Sequence, residues 1–326
     1  SGSAEAVTAG ALFLFLNSFL LLRLGVHRGL EKPLLPQFLE AVLRPLLVLG
    51  LFFLAIEFKG KTSASGALWS FVAVALLLQL PLLLTGSAVR HAGNDAPAAA
   101  GGVPREWLRA GVAMSLGSGA LIMMYSADVI MLNWFRGAEE AGVYSVISRL
   151  SILVIFGMNC AQIVVGPALS RAFASGDTAR LRHLASLAAV MSAGVGLAVG
   201  GVLTIFGQYA VGMFGPDYLT GLTALTILVV GQLLNTATGI TGTFMNMVGE
   251  PTRLLRFVIL GLVLNLALNL VLIPRYGAQG AAVSAVAGHL FWNVLALIHI
   301  RRAFDVDVSL IAGLRDTSRW LARRAG

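Results

Sequence analysis

Residues 107–169 read WLRAGVAMSLGSGALIMMYSADVIMLNWFRGAEEAGVYSVISRLSILVIFGMNCAQIVVGPAL. Two apolar runs, 107–134 and 141–169, flank the short polar link from Phe135 to Glu140. A bilayer core about 30 Å thick is crossed by about 20 helical residues rising 1.5 Å each, and both runs exceed that length. Backbone polar groups inside hydrocarbon must be satisfied within their own element, so such runs are helices. The stretch is a transmembrane helical hairpin.

The same pattern extends in both directions. About nine runs of this kind occur, over 7–22, 45–58, 67–87, 107–134, 141–169, 184–214, 219–248, 254–273 and 278–300. They predict an all-α integral membrane protein, a polytopic helix bundle. Of the 326 residues 57% are hydrophobic and only 12% charged, too few charges for the polar shell of a soluble domain. The 37 glycines and 10 prolines sit inside apolar runs, so they do not signal disorder. A single cysteine, Cys160, excludes an internal disulfide and any cysteine-based zinc or iron–sulfur site.

The net charge of +8 points first to an anionic partner, but the position of the charges gives another reason for it. If every run spans, Arg149 falls inside a span, and only Lys59, Lys61, Arg136 and Arg275 fall on one side. All other Lys and Arg fall on the opposite side, which the positive-inside rule makes cytoplasmic. The C-terminus is therefore expected in the cytoplasm, and the protein in a bacterial cytoplasmic (inner) membrane. Nine spans put Ser1 outside, yet 1–10 carries no initiator Met and no basic signal region. Three preceding spans, giving twelve, are expected to restore a cytoplasmic start.

The longest polar stretch, 87–106, holds Asn94, Asp95, Pro97, Gly101, Gly102 and Pro104 and is expected to be a cytoplasmic linker between lobes. Residues 1–86 then form the remainder of an N-terminal lobe, 107–303 a six-helix C-terminal lobe, and 304–326 a basic cytoplasmic tail. The tail is read as either a membrane-surface segment or a disordered end. The segment 31–44, with Leu34, Leu35, Phe38, Leu39, Val42 and Leu43, is expected to be an interfacial helix or an extension of the second span. Small residues every four positions (Ala188, Ser192, Gly196, Gly200, Thr204, and again Gly280, Ser284, Gly288) mark close helix packing.

Polar groups in mid-membrane need a partner or a wet cavity. Asp128 and Arg149 lie at matching depth, about 15 Å, on either side of the Gly137 turn. They form either an ion pair locking the hairpin, or a site in which Arg149 meets a phosphate while Asp128 orients it or takes a coupling cation. Gln232, Asn235, Gly239, Gly242 and Asn246 share one face of the seventh span, and Asn265 and Asn269 lie one turn apart in the eighth. These amides are interhelical hydrogen bonds or a cavity wall. His289 is either packed and bonded or a titrating group in a proton path.

No metalloprotease, nucleophile-elbow or P-loop motif is present, and no connection is long enough for a catalytic domain. The chain is therefore read as a non-enzyme needing no cofactor, and the scattered basic residues disfavour nucleic acid. From Met124 onward the sequence resembles polysaccharide (O-antigen type) flippases of the multidrug/oligosaccharidyl-lipid/polysaccharide exporter superfamily. The resemblance is carried by Tyr125-Ser-Ala-Asp128, Gly142-Val-Tyr144 through Arg149, Phe214-Gly215-Pro-Asp-Tyr218, Gly239 to Gly242, and Asn265 and Asn269 leading to Pro274-Arg-Tyr-Gly277. The segment 30–46 also looks like this family.

The resemblance implies two pseudo-symmetric lobes of MATE-like architecture, a central cavity and alternating access. It implies movement of an undecaprenyl-diphosphate-linked oligosaccharide across the bilayer, driven by a coupling ion, H⁺ or Na⁺, or by substrate supply. Candidate substrate contacts are Arg149, Asp128, Asn235, Asn265, Asn269 and His289. Rival readings are an ion-coupled multidrug exporter, a lipid II flippase and, from another class, an envelope glycan polymerase or acyltransferase. The short outer connections disfavour the enzyme.

Overall fold

In the computed structural model the described residues are 2–29, 38–59, 64–80 and 104–315, and the regular structure among them is helical throughout. The chain divides into two compact units, Ser1–Gly102 and Val103–Gly326. Most of the expected linker 87–106 lies outside the described residues; Arg105 and Glu106 already open the first helix of the second unit.

The first unit contains α1 (Gly2–Gly29), α2 (Arg44–Lys59) and α3 (Ala64–Leu77). A π-turn over Leu39–Leu43 leads without a break into α2. The described part of segment 31–44 is therefore a helical extension of the second span, while 31–37 lie outside the described residues. Leu20, Leu24, Leu39, Val74 and Leu78 form its core, and the Gln79 amide donates to the Leu16 carbonyl at 3.2 Å.

The second unit begins with α4 (Arg105–Arg136), which reverses at Gly137 into α5 (Ala138–Ile152). A 3₁₀ turn over Leu153–Ile155 carries that crossing on into α6 (Phe156–Ala174). Next come α7 (Thr178–Gly212), capped by the Asp177 carboxylate accepting from Arg180 N–H at 2.9 Å, and α8 (Leu222–Thr238). The helix breaks at Gly239 and Ile240 before the short α9 (Thr241–Met247). Helix α10 runs from Pro251 to Phe304, and a further helical stretch occupies 310–315.

Six helices among the described residues are long and apolar enough to cross a membrane, with shorter apolar helices at Arg44–Leu54 and Leu68–Leu77. Helix α10, at 54 residues, is too long for one crossing. It is two antiparallel arms folded at Gly277, whose φ of 54° and ψ of −132° leave the helical region. A β-carbon on Gly261 would sit 2.7 Å from the Gly288 carbonyl oxygen, so the arms touch backbone to backbone. Counted as two, α10 brings the crossings of sufficient length among the described residues to seven, beside the two shorter apolar helices, against the nine spans expected. Large apolar side chains such as Trp134 and Met213 point outward, as a lipid-facing surface requires.

The turns obey alternate crossing. Glu140, just after the Gly137 turn, accepts from Ala278 N–H at 2.7 Å and pairs with Arg136 at 3.2 Å, so the Gly137 and Gly277 turns share one end. At the opposite end Arg182 pairs with Asp305, and His299 Nε2 lies 2.5 Å from Glu250. Arg171, Arg180, Arg253, Arg256 and Arg302 belong to that second end, and Arg275 to the first. Small residues pack as expected: Ala188, Ser192, Gly196 and Gly200 are buried, and a β-carbon on Gly196 would meet Thr236 and the Val154 carbonyl at 3.3 Å. Thr204 is exposed.

The start of the tail departs from both expectations for it. After Asp305, which takes a left-handed conformation, the chain turns back into the bundle and buries Val306, Val308 and Ser309. Arg301 holds this return through Asp307 at 2.7 Å and Ser309 at 3.1 Å. Gly239 has a φ of 80°, and a β-carbon there would run into the Val308 carbonyl. The helix break and the returning chain thus fit each other. Residues 316–326 lie outside the described residues.

Candidate functional site

Asp128 lies on the buried face of α4 with Met124 and Leu132, about 13 Å from the Gly137 end at 1.5 Å per residue. The first arm of α10 brings Asn265 and Asn269, one turn apart and fully buried, against it. Their side-chain N–H groups donate to the same Asp128 oxygen, Oδ1, at 2.9 and 2.7 Å. Tyr144 on α5 donates to Oδ2 at 3.4 Å. A buried carboxylate is thus held by neutral donors from two other helices, as its burial demands.

Arg149 is not among its partners. On α5 the buried positions are Ala141, Val143, Tyr144, Ile147 and Ser151, while Arg149 is exposed. Five positions beyond Tyr144, at 3.6 residues per turn, it points about 140° away around the helix. The expected Asp128–Arg149 pair therefore fails on azimuth although the depths match. Arg149 makes no ion pair among the described residues, and its guanidinium is free on the outer face of α5.

A second polar network spans the break between α8 and α9. Asn293 is its hub: its amide donates to Asn235 at 3.0 Å and to the His289 carbonyl at 3.0 Å, and its oxygen accepts from Thr241 at 2.5 Å. Asn235 in turn donates to Gln232 at 3.3 Å. His289 Nδ1 faces the Ala285 carbonyl at 3.1 Å, which places its proton there and leaves Nε2 as a buried acceptor without a partner. The Tyr125 ring packs against the imidazole at 4.6 Å between centroids.

Two cavities meet at this Tyr125–His289 contact. The smaller, about 30 Å³, is lined by Asp128, Tyr144, Ser148 and Gln232 among others. It is the size of a single small ion or water. The larger, about 260 Å³, is bounded by Asn159, Gln162, Asn235, Asn246, Asn293 and Trp292, with the backbone of the Gly239–Gly242 break at one wall. Asn159 is exposed, so the larger cavity reaches the surface of the unit there. Among the described residues no group of three or more His, Cys, Asp or Glu could hold a metal ion.

Of the predicted candidates, Asp128, Asn265 and Asn269 form one cluster, Asn235 and His289 line or adjoin the larger cavity, and Arg149 stands apart from both. Sequence reasoning missed Tyr125, Tyr144, Asn159, Gln162, Thr241, Trp292 and Asn293 as site residues. Asn293 follows His289 by four residues and Gln162 follows Asn159 by three, each about one turn, so the helical spacing already carried a signal.

Residues 113–271 match the MatE family model. This stretch contains Asp128, Tyr144, Asn235, Asn265 and Asn269. The fold is that of MATE transporters. A multidrug resistance MATE family transporter of the MOP superfamily, in an outward-facing conformation, superposes with a TM-score of 0.77 at 17% identity, over 92% of this chain and 69% of the other. A MATE in complex with MaD5 gives a TM-score of 0.74 at 17% identity, over 92% and 68%. At such identities the likeness concerns architecture alone.

Two sequence relatives are similar over part of the chain. An uncharacterized membrane protein of Methanocaldococcus jannaschii is 26% identical over 191 residues, 58% of this chain and 37% of its own length. The probable flippase AglR of Haloferax volcanii is 27% identical over 193 residues, 56% and 39%. The chain thus spans less than half the length of the curated relatives it matches. Within the MATE fold, the Asp128 cluster and both cavities lie wholly inside the second unit.

Proposed function

We propose that the protein is a membrane transporter of MATE type that moves a lipid-linked oligosaccharide across the cytoplasmic membrane by alternating access. The observation that carries this reading is the division of charge and polarity. Asp128 is already engaged by Asn265, Asn269 and Tyr144, and the larger cavity beside it is lined by amides with no Asp, Glu, Lys or Arg among the described residues. A cationic drug would find no counter-charge in the lining of that larger cavity, whereas a neutral glycan would find hydrogen-bond partners. The similarity to a probable flippase supports the same direction.

In this reading Arg149, exposed on α5, meets the diphosphate, and Asp128 holds the coupling ion, H⁺ or Na⁺. The helix break at Gly239 supplies non-helical backbone beside a cavity, the arrangement that lets a transporter helix bend without stranding its polar groups. Binding of ion or cargo shifts the balance between inward- and outward-open states.

The experiment is deletion of the gene followed by complementation with the full-length protein, reading surface glycan and the lipid-linked precursor retained inside. Loss of surface glycan with precursor accumulation, restored by complementation, is the expected result. A multidrug exporter is the second reading, favoured by the buried carboxylate next to a cavity; it predicts normal glycan and drug hypersensitivity in the deletion strain instead.

A further inference from the structure

We infer that the larger cavity of the second unit is a binding site for one neutral sugar ring, held by side-chain amides and bounded by the rings of Tyr125 and Trp292. The inference rests on the reading of the protein as an exporter of lipid-linked glycan and assigns a subsite within it. The volume is the first argument. At about 260 Å³ the cavity falls just below the roughly 300–1,000 Å³ typical of pockets for drug-sized ligands, which suits one ring and not a chain of several.

The chemistry of the lining is the second argument. Among the described residues no Asp, Glu, Lys or Arg lines the cavity, so it offers neither a cation nor an anion a counter-charge, whereas its side-chain amides both donate and accept. A hydroxyl also does both, so a polyhydroxylated ring matches them.

The walls give the third argument. Asn159 and Gln162 make no hydrogen bond within the described residues, so both of their amides are available where the cavity reaches the surface. An apolar occupant, such as a lipid tail, would leave all these amides without partners. The rings of Tyr125 and Trp292 give the wall apolar area against which the C–H face of a ring can pack. Asn293, by contrast, spends its bonds on Thr241, Asn235 and His289 and fixes the shape of the wall.

The test uses the full-length protein in nanodiscs, titrated with methyl glycosides of glucose, galactose and N-acetylglucosamine, and separately with tetramethylammonium chloride and inorganic phosphate. Trp292 lies in the site, so tryptophan emission should change saturably with at least one glycoside, and the change should vanish in Trp292→Phe. Thermal stabilisation by the same glycoside provides a second readout that needs no tryptophan. Asn159→Ala with Gln162→Ala should raise the apparent Kd about tenfold, as loss of one net hydrogen bond does, without lowering the melting temperature of the free protein. No response to any glycoside, an equal response to tetramethylammonium or phosphate, or an unchanged Kd in the double variant would overturn the assignment. Glycan export measured in parallel separates the two claims. Normal export by the wild-type protein together with absent glycoside binding removes the subsite alone, whereas glycoside binding in a protein whose deletion leaves export intact upholds the subsite and removes the exporter.

Discussion

Asp128 and Asn269 are 141 positions apart in sequence and 2.7 Å apart in space, and Asn265 donates to the same carboxylate oxygen at 2.9 Å. This contact joins the first helix of the second unit to the first arm of its last hairpin. A hydrogen bond to a charged group contributes about 1.5–3 kcal/mol, so Asn269→Ala should lower the unfolding free energy in detergent by about 2 kcal/mol. The exchange Asp128→Asn with Asn269→Asp keeps a carboxylate facing an amide and should recover part of that loss. Losses in the exchange equal to the sum of the two single variants would show that the residues do not act as a pair.

Arg149 gives the opposite expectation for stability. It is exposed and touches neither Asp128 nor its donors, so Arg149→Ala should change stability by no more than about 0.5 kcal/mol. Export of lipid-linked glycan should nevertheless fall, because the candidate phosphate ligand is gone. Melting curves and surface glycan measured on the same variant separate the two effects; full export would remove Arg149 from substrate binding.

Gly239 and Gly249 both take a positive φ, and Gly239 adds a ψ of −162° that glycine alone readily adopts, so the two together test the helix break. Their φ angles are 80° and 83°, but a β-carbon on Gly249 would meet nothing within 4 Å, whereas one on Gly239 would strike the Val308 carbonyl. Gly249→Ala should therefore cost only the left-handed backbone penalty of about 1–2 kcal/mol. Gly239→Ala should cost distinctly more. Equal losses in chemical denaturation would mean that the Val308 contact is absent in the membrane.

Asp307 predicts a pH effect at the end of α10. Burial pushes its carboxyl up, but hydrogen bonds from the Ser309 side chain and backbone and the nearby Arg301 guanidinium outweigh burial and hold it below the ordinary carboxylate value of 3.8. A carboxyl depressed on folding stabilises the protein above its unfolded pKa and loses that contribution as pH falls through the folded one. Wild type should accordingly be more stable than Asp307→Asn at neutral pH, and the gap should close below about pH 4. A gap that stays constant down to pH 2 would argue against the Arg301–Asp307 contact.

Hydropathy and charge made the spans readable, because both depend only on position along the helix axis. The hairpin inside α10 was readable for the same reason: Pro274 to Gly277 interrupts the apolar run even though helix follows on both sides. The partner of Asp128 was not, since depth puts Arg149 level with it and only the rotation of α5 excludes it. Asn265 and Asn269 were visible as a pair one turn apart, but nothing local tells which of the other helices they face. Asn159, Gln162 and Trp292 were hidden differently. They become a wall only when the break at Gly239 moves α9 aside.

That break also depends on timing. The seat for Gly239 is the Val308 carbonyl, and the ribosome makes Val308 only after both arms of α10. The middle of the bundle therefore cannot close during synthesis of the helices that form it; it waits for residues 305–309 to leave the exit tunnel. Fusions or truncations that hold back residues 305–315 should leave α8 and α9 exposed to membrane quality control, even when every span has been inserted.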